Sequence, residues 1–437
     1  MITPKLRILC VYSASQTYTS TVFEHLLSFS RNSSNSWFYL DINEFDSDSI
    51  SLDEFDSIVI HYSVRLPFGQ LTESCVEKLR NFPRLKTLFI QDEYDGTNTA
   101  LRIINSVPFD LVFSVVPTNS LEKIYPKHTL SRTRFVNNLT GYAPDDLINQ
   151  VNISNLPSER PLIIGYRARE LLPRYGRLGQ EKFLIGQHVK KYCLTHRIRC
   201  DIKLDDRSRI YGGKWYKFIS SMRAMLGTES GSNVFDWDSS LDQEINSYRR
   251  RFPNSTDQDI YLNLIKHHEI DGLMNQVSPK IFEMAAAKTV MVLFEGNYSG
   301  VLEPHIHFFP LKKDFSNLDQ MITFLKDNDL IDAMAERAHK DVILSGKYSY
   351  KEFILMVDNE MNSLFKELGI QHAACYSGAQ IIPPSKLTKI PIQFRRSLLI
   401  LLGQYIFGNP FNQFKLFLKS HLPLSTQSHI RKLLKYL

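Results

Sequence analysis

The chain of 437 residues has little cysteine: Cys10, Cys75, Cys193, Cys200 and Cys375 are scattered, odd in number and without metal-type pairing. That pattern excludes a disulfide framework and a structural zinc module, and fits a reducing cytoplasm. Long apolar runs are missing as well. The two apolar stretches near the end, 398–407 (LLILLGQYIF) and 411–418 (FNQFKLFL), are roughly ten residues or fewer, where a membrane crossing needs about twenty. The amino terminus, MITPKLRILCVYS, shows no cleavable apolar core and runs straight into a strand pattern. Glycine is absent from the loop after that first strand, where 13–16 read Ser-Ala-Ser-Gln, so this loop is a poor phosphate grip and could instead admit an acceptor molecule. No D-x-D sequence ends a strand, since Asp236-Trp-Asp238 opens a polar insertion. His267 and His268 are adjacent rather than one helical turn apart, so no zinc pair is read there. No RNA- or DNA-binding module is recognisable, and nucleic acid is not an expected partner.

What is present is an ordinary globular composition, 43% hydrophobic and 22% charged, in a chain long enough for two cores. The net charge of +6 is unevenly spread. From Tyr376 onward there are nine basic residues and no acidic one, so subtracting nine from +6 leaves the rest of the chain at −3. The body is near neutral and the tail is cationic. Basic residues flanking apolar and aromatic ones over 386–437 suit an interfacial helix on an anionic membrane surface, or a helix pair docked on protein.

Strands and helices alternate through the first part. Residues 6–12, 37–42, 57–61, 87–91 and 110–115 read as strands, with helices at 20–29 and 73–81 between them. This spacing predicts an α/β fold with a parallel, doubly wound sheet, ending near residue 155. A second α/β unit follows from 156 to 370, with strands at 162–166, 200–204 and 223–226, helices at 179–193 and 215–221, and a polar helical insertion at 232–277. Residues 318–326, 331–344 and 349–368 read as terminal helices. SGAQIIPPS, 377–385, reads as a linker within a final segment, 371–437.

The most informative stretch is SPKIFEMAAAKTVMVLFEGNYSGVLE, 278–303. Ser278 suits an N-cap and Pro279 the first helical position. The run TVMVLF suits a central strand covered on both faces, and the small-residue loop after it, 295–300, would let main-chain N–H groups approach an anion at the ligand-binding edge. Glu283 on the helix could accept hydrogen bonds from ribose hydroxyls. Farther upstream, the basic loop from Arg167 to Arg177 precedes a helix with Lys182 in its first turns. It reads either as a solvated loop or as a diphosphate site in which Arg169 or Arg174 can stand in for Arg167. Glu229, in the turn GTESG, faces a nucleotide or serves the turn itself.

This stretch resembles the carboxyl-terminal signature of the group 1 (family 4-like) GT-B glycosyltransferases, E-A-x-A-x-G-x-P-V followed by a glycine loop and a second acid. The matching positions are Glu283, Ala286, Ser299, Gly300 and Glu303. The chain departs from the pattern at Asn275, where the family has a glutamate, and at Lys288 and Val290. The resemblance implies two Rossmann-like domains facing across a cleft, with a helical carboxyl-terminal extension. It also implies metal- and cofactor-independent transfer of a sugar from a nucleotide-sugar donor to a saccharide or lipid-linked saccharide acceptor, with retention of configuration. The implied setting is surface polysaccharide or glycan synthesis at the inner face of the plasma membrane. Donor binding would fall to Arg167, Lys182, Glu229, Glu283, Ser299, Gly300 and Glu303, with Arg167, Lys182 and Glu283 sharing one cavity. An inactive scaffold serving as a binding partner, and a nucleotide-sugar epimerase, remain as alternatives.

Two first-domain residues are catalytic candidates at strand ends. His61 reads as a hydrogen-bonded strand-end histidine or as a cleft residue. Asp92 reads as a cap of the following helix or as the general base of an inverting reaction.

Overall fold

The computed structural model describes residues 5–17, 19–46, 51–128, 130–151 and 155–373. The cationic tail and its proposed membrane contact lie outside the described residues. Continuous apolar runs become the middle strands of two parallel sheets. The first contains β1 (Arg7–Tyr12), β2 (Ser36–Asp41), β3 (Ser57–Ile60), β4 (Leu85–Ile90), β5 (Leu111–Ser114) and β6 (Arg134–Asn137), in the order β2-β1-β3-β4-β5-β6. The second contains β7 (Leu162–Arg167), β8 (Cys200–Lys203), β9 (Met222–Gly227), β10 (Val290–Phe294) and β11 (Phe308–Leu311), in the order β11-β10-β9-β7-β8. All residues of β3, β4, β5 and β10 are buried, as expected for strands covered by helices on both faces. With every strand parallel, all carboxyl ends of a sheet share one edge.

The terminal helix Tyr350–Glu367 returns to the first sheet. Its Phe353, Ile354, Val357 and Met361 share a core with Leu26, Phe29 and Phe89. The stretch that sequence spacing assigned to the second unit therefore ends in a helix that completes the first core. A carboxylate fixes this return. Asp358, 4% exposed, accepts from the Ser33 hydroxyl at 2.7 Å, from Ser34 N–H at 2.7 Å and its hydroxyl at 2.8 Å, and from Asn35 Nδ2 at 3.0 Å.

The insertion also crosses over. Phe235, Leu273 and Met274 are buried in the first sheet's other core layer. Asp236 N–H donates to Tyr94 O at 2.8 Å and Asn98 N–H donates to Trp237 O at 2.9 Å. The polar helical insertion is thus a strap attached to the first sheet.

Replacing Asp358 with alanine leaves four part-buried donors without their charged acceptor. It should destabilise the protein by about 3 kcal/mol. Urea unfolding should show a lower midpoint with an unchanged slope.

Candidate functional site

The carboxyl edges of the two sheets enclose a cavity of about 430 Å³. The first sheet contributes Tyr62 and Arg65 after β3, and Gln91 and Asp92 after β4. The second contributes Arg169 after β7, Ser230 and Gly231 after β9, and Lys182 from the helix Gly176–Thr195. Ligands in open parallel sheets bind at this edge, because loops and helix starts converge there.

Lys182 is a deeply placed cation of the cleft. Its ammonium donates to Ser230 Oγ at 3.0 Å. Burial, assisted by repulsion from Lys280 and opposed by Asp92, pulls its pKa from 10.5 down to about 8. A lysine with so little hydration gains more from a bound anion than a surface lysine does. Arg169 is exposed and has no ion-pair partner among the described residues, so it is available to the same anion.

Arg167 is used elsewhere. Its guanidinium donates to Tyr166 O at 2.8 Å, to Asp201 O at 2.7 Å and to the Asp201 carboxylate at 2.7 Å, and lies 4.1 Å over the Phe218 ring. Arg174 is also committed, pairing with Asp95 at 2.5 Å and Asp242 at 2.7 Å. Of the three residues expected to share one cavity, only Lys182 lines the cleft. Glu283 sits beside it on the helix Lys280–Ala286, where its Oε2 accepts from Trp215 Nε1 at 2.7 Å. Burial raises its pKa, and the Trp215 bond and Lys280 oppose the rise.

Two main-chain cradles that sequence assigned to a phosphate already hold carboxylates of the chain. In the loop after β10, Asn297 N–H at 3.1 Å and Tyr298 N–H at 2.8 Å both donate to Glu229 Oε1. Glu229 Oε2 accepts from Asn275 Nδ2 at 2.6 Å, so its carboxylate lies against the position where the resembled signature carries its glutamate. At the start of the Gly176–Thr195 helix, Arg177 N–H donates to Glu269 Oε1 at 2.7 Å.

The remaining candidates brace rather than line the cavity. The Ser299 hydroxyl donates to Gln276 Oε1 at 3.1 Å and accepts from Val277 N–H at 3.0 Å, while Gln276 Nε2 donates across to Val115 O. Gly300 has φ +71, a backbone angle that favours glycine. Glu303 is exposed, and its N–H donates to His307 Nδ1 at 3.0 Å.

His61 is fully buried and lines none of the cleft. Ser63 N–H donates to its Nδ1 at 3.0 Å, and its Nε2 meets His25 Nδ1 at 2.9 Å. Burial and the neighbouring His25 push its pKa well down, which keeps it neutral in the core. Asp92 does face the cleft, with φ +57, Arg65 at 3.3 Å and a hydrogen bond from the Tyr94 hydroxyl at 2.8 Å.

Sequence reading passed over Gln276 and Ser230, whose cleft positions arise from an antiparallel bridge between residues 46 apart in the chain. No local signal marks them.

Beneath Asp92, Glu93 accepts from Ser114 Oγ at 2.7 Å and Val115 N–H at 3.2 Å, while its Oε2 is buried without a partner. Burial pushes its pKa from 4.5 up to about 7. The folded state therefore holds this proton over a range where the unfolded chain has released it. Its contribution to stability is full below about pH 4.5 and is lost as pH rises through about 7. Glu93→Gln should remove a decline of about 3 kcal/mol across this window, measured by urea unfolding at pH 5 and pH 8.

No protein-family model and no curated protein matches the sequence. Among solved structures, the chain is similar to an α-glucosyltransferase in complex with UDP and a 13-mer DNA, at a TM-score of 0.50 and 12% identity over 82% of this chain and 100% of that one. It is similar to Anabaena HepE in complex with UDP and glucose, at a TM-score of 0.48 and 10% identity over 82% and 100%. It is also similar to TarM, at 0.40 and 13% over 71% and 54%. With the two parallel sheets and their shared cleft, the first likeness makes the fold that of the GT-B enzymes, two Rossmann-like units with their carboxyl edges turned toward each other.

Proposed function

We propose that the chain is a glycosyltransferase of the group 1 type. It would take a nucleotide-activated sugar and pass the glycosyl group, with retention, to a saccharide or lipid-linked saccharide in glycan synthesis. The observation that carries this reading is the cleft itself, with a half-buried, low-pKa lysine and an arginine without an ion-pair partner among the described residues on one wall, and Gln91, Tyr62 and the Asp92–Arg65 pair on the other. In favour of a nucleotide-sugar donor is the similar α-glucosyltransferase, which was solved with UDP.

In this mechanism Lys182 and Arg169 stabilise the departing diphosphate, the species on which charge develops. Gln91 and Asp92 orient the acceptor hydroxyl, which approaches from the same face as the leaving group. The protein supplies no nucleophile, and no metal or cofactor takes part. Cytoplasmic placement, with residues 386–437 on an anionic membrane surface, belongs to the same proposal.

A second reading has one specific observation behind it. Glu229 and Glu269 occupy the two main-chain cradles where a diphosphate would otherwise sit, which favours a binding scaffold that has lost catalysis.

The two readings separate on nucleotide binding. Uridine diphosphate, or another nucleoside diphosphate in a panel, should raise the melting temperature, and Lys182→Ala should weaken its Kd by at least tenfold. Because Lys182 loses its proton near pH 8, wild-type affinity should fall between pH 7 and 9, in a range where an ordinary lysine stays charged. A scaffold would show no response to any nucleotide and release no nucleoside diphosphate from nucleotide sugars.

A further inference from the structure

A second cavity, of about 790 Å³, is nearly twice the size of the cleft cavity. It lies on the opposite face of the Gly176–Thr195 helix from Lys182. At 100° per residue, Gln180, Leu184 and Gln187 project away from position 182, and all three line this cavity. The facing wall comes from the insertion through Asp257, Gln258, Tyr261 and Asp271, and Phe315 closes it from the loop after β11. The two cavities share the thin partition made by the Ser230 and Gln276 bridge: Gly231 and Gln276 line the cleft, while Asn233 and Asn275 line the second cavity.

The lining chemistry narrows the ligand. Five carboxylates, those of Glu170, Glu181, Asp257, Glu269 and Asp271, face only two cations. Both cations are paired, Arg177 with Glu269 at 3.2 Å and Asp271 at 2.7 Å, and Lys313 with Glu181 at 2.5 Å, while Asp257 is held from outside the lining by Arg249 at 2.6 Å. A phosphate or a uronic acid entering this space would find no lining cation free of a carboxylate, and acidic groups in excess of basic ones. Glu170, Gln187 and Gln258 carry no side-chain partner among the described residues, and so offer acceptor atoms to hydroxyl groups. Phe183, Tyr261 and Phe315 add aromatic surface to the lining, Phe315 with one face already stacked on His188, and aromatic surface suits the C–H side of a pyranose. Aromatic surface together with unpaired acceptors, in a space of ligand size, suits a polyhydroxylated molecule without negative charge.

We propose that this cavity, built by the insertion, is a second carbohydrate site that holds a neutral or amino-bearing oligosaccharide outside the cleft. A glycan seated here is anchored at a distance from the reacting centre, and such remote binding energy raises the residence of an acceptor chain beside the cleft. Occupancy does not require the cleft to take a nucleotide, so the site stands or falls separately from the transferase reading.

The test is titration of the full chain with neutral, aminated and uronic-acid oligosaccharides of two to six units, without nucleotide, followed by ligand-observed NMR and calorimetry. At least one neutral or aminated oligosaccharide should bind. Its Kd should rise tenfold or more in Tyr261→Ala and in Gln187→Trp, which fills the cavity from an exposed helix position, while the thermal response to uridine diphosphate is unchanged in both. Uronic-acid oligosaccharides should not bind. Gln187→Trp keeps the test decisive if Tyr261→Ala fails to fold. The proposal is overturned if no neutral or aminated oligosaccharide binds, or if binding survives both cavity variants and is lost in Asp92→Ala. Sugar binding that behaves as expected in a chain indifferent to nucleotides supports this site and counts against the transferase reading alone.

Discussion

One arginine holds the two halves of the cleft in register. Arg174, in the loop after β7, places its guanidinium 2.5 Å from Asp95 of the first sheet and 2.7 Å from Asp242 of the insertion, with Asp236 at 3.8 Å. Its side chain is only 14% exposed, so the charge is removed from most of its water and depends on these carboxylates for compensation. Asp95 also holds Arg65 at 2.9 Å, and Arg65 holds Asp92 at 3.3 Å. Alternating charge therefore runs from the second sheet to the acid that faces the cavity. The width of the cleft and the position of Asp92 are consequences of the same chain of ion pairs.

The insertion gives this clasp its depth. Phe235 and Met274 are buried among residues of the first sheet, and main-chain hydrogen bonds of Asp236 N–H to Tyr94 O and of Asn98 N–H to Trp237 O tie its first residues. The same segment supplies Glu269 to the helix beginning at Gly176 and Asn275 to Glu229. Two buried carboxylates thereby satisfy main-chain donors that would otherwise point at solvent or ligand. Positive potential in the cleft is left to the side chains of Lys182, Arg169 and Arg65, and Lys182 is the one whose charge is disfavoured by burial.

Much of the architecture was legible in the residues. Runs such as ILCVY, TLFI and VMVLF are almost continuously apolar because parallel strands are covered on both faces, and each lies in a strand. Edge strand β6, RFVN, is half-exposed and polar at both ends, and left no comparable signal. The site was harder to read, because a basic loop does not reveal which guanidinium finds an acid. Arg167 meets Asp201, 34 residues on, and Arg174 meets Asp95, 79 residues back, so Arg169 is the arginine of this loop without an ion-pair partner among the described residues. His61 likewise pairs with a histidine 36 residues away that helical spacing alone could not align with it. Long-range pairing decides which polar groups are available to a ligand, and that information is spread over the whole chain.

The central claim is that a diphosphate is gripped by Lys182 in the cleft while Glu229 keeps the loop after β10. A crystal structure of the chain soaked with uridine diphosphate tests it most directly. The account predicts phosphate oxygens within hydrogen-bond distance of Lys182 Nζ, with Asn297 and Tyr298 N–H still bonded to Glu229. Phosphates seated in the 295–300 loop with Glu229 expelled, or bound beyond reach of Lys182, would contradict it.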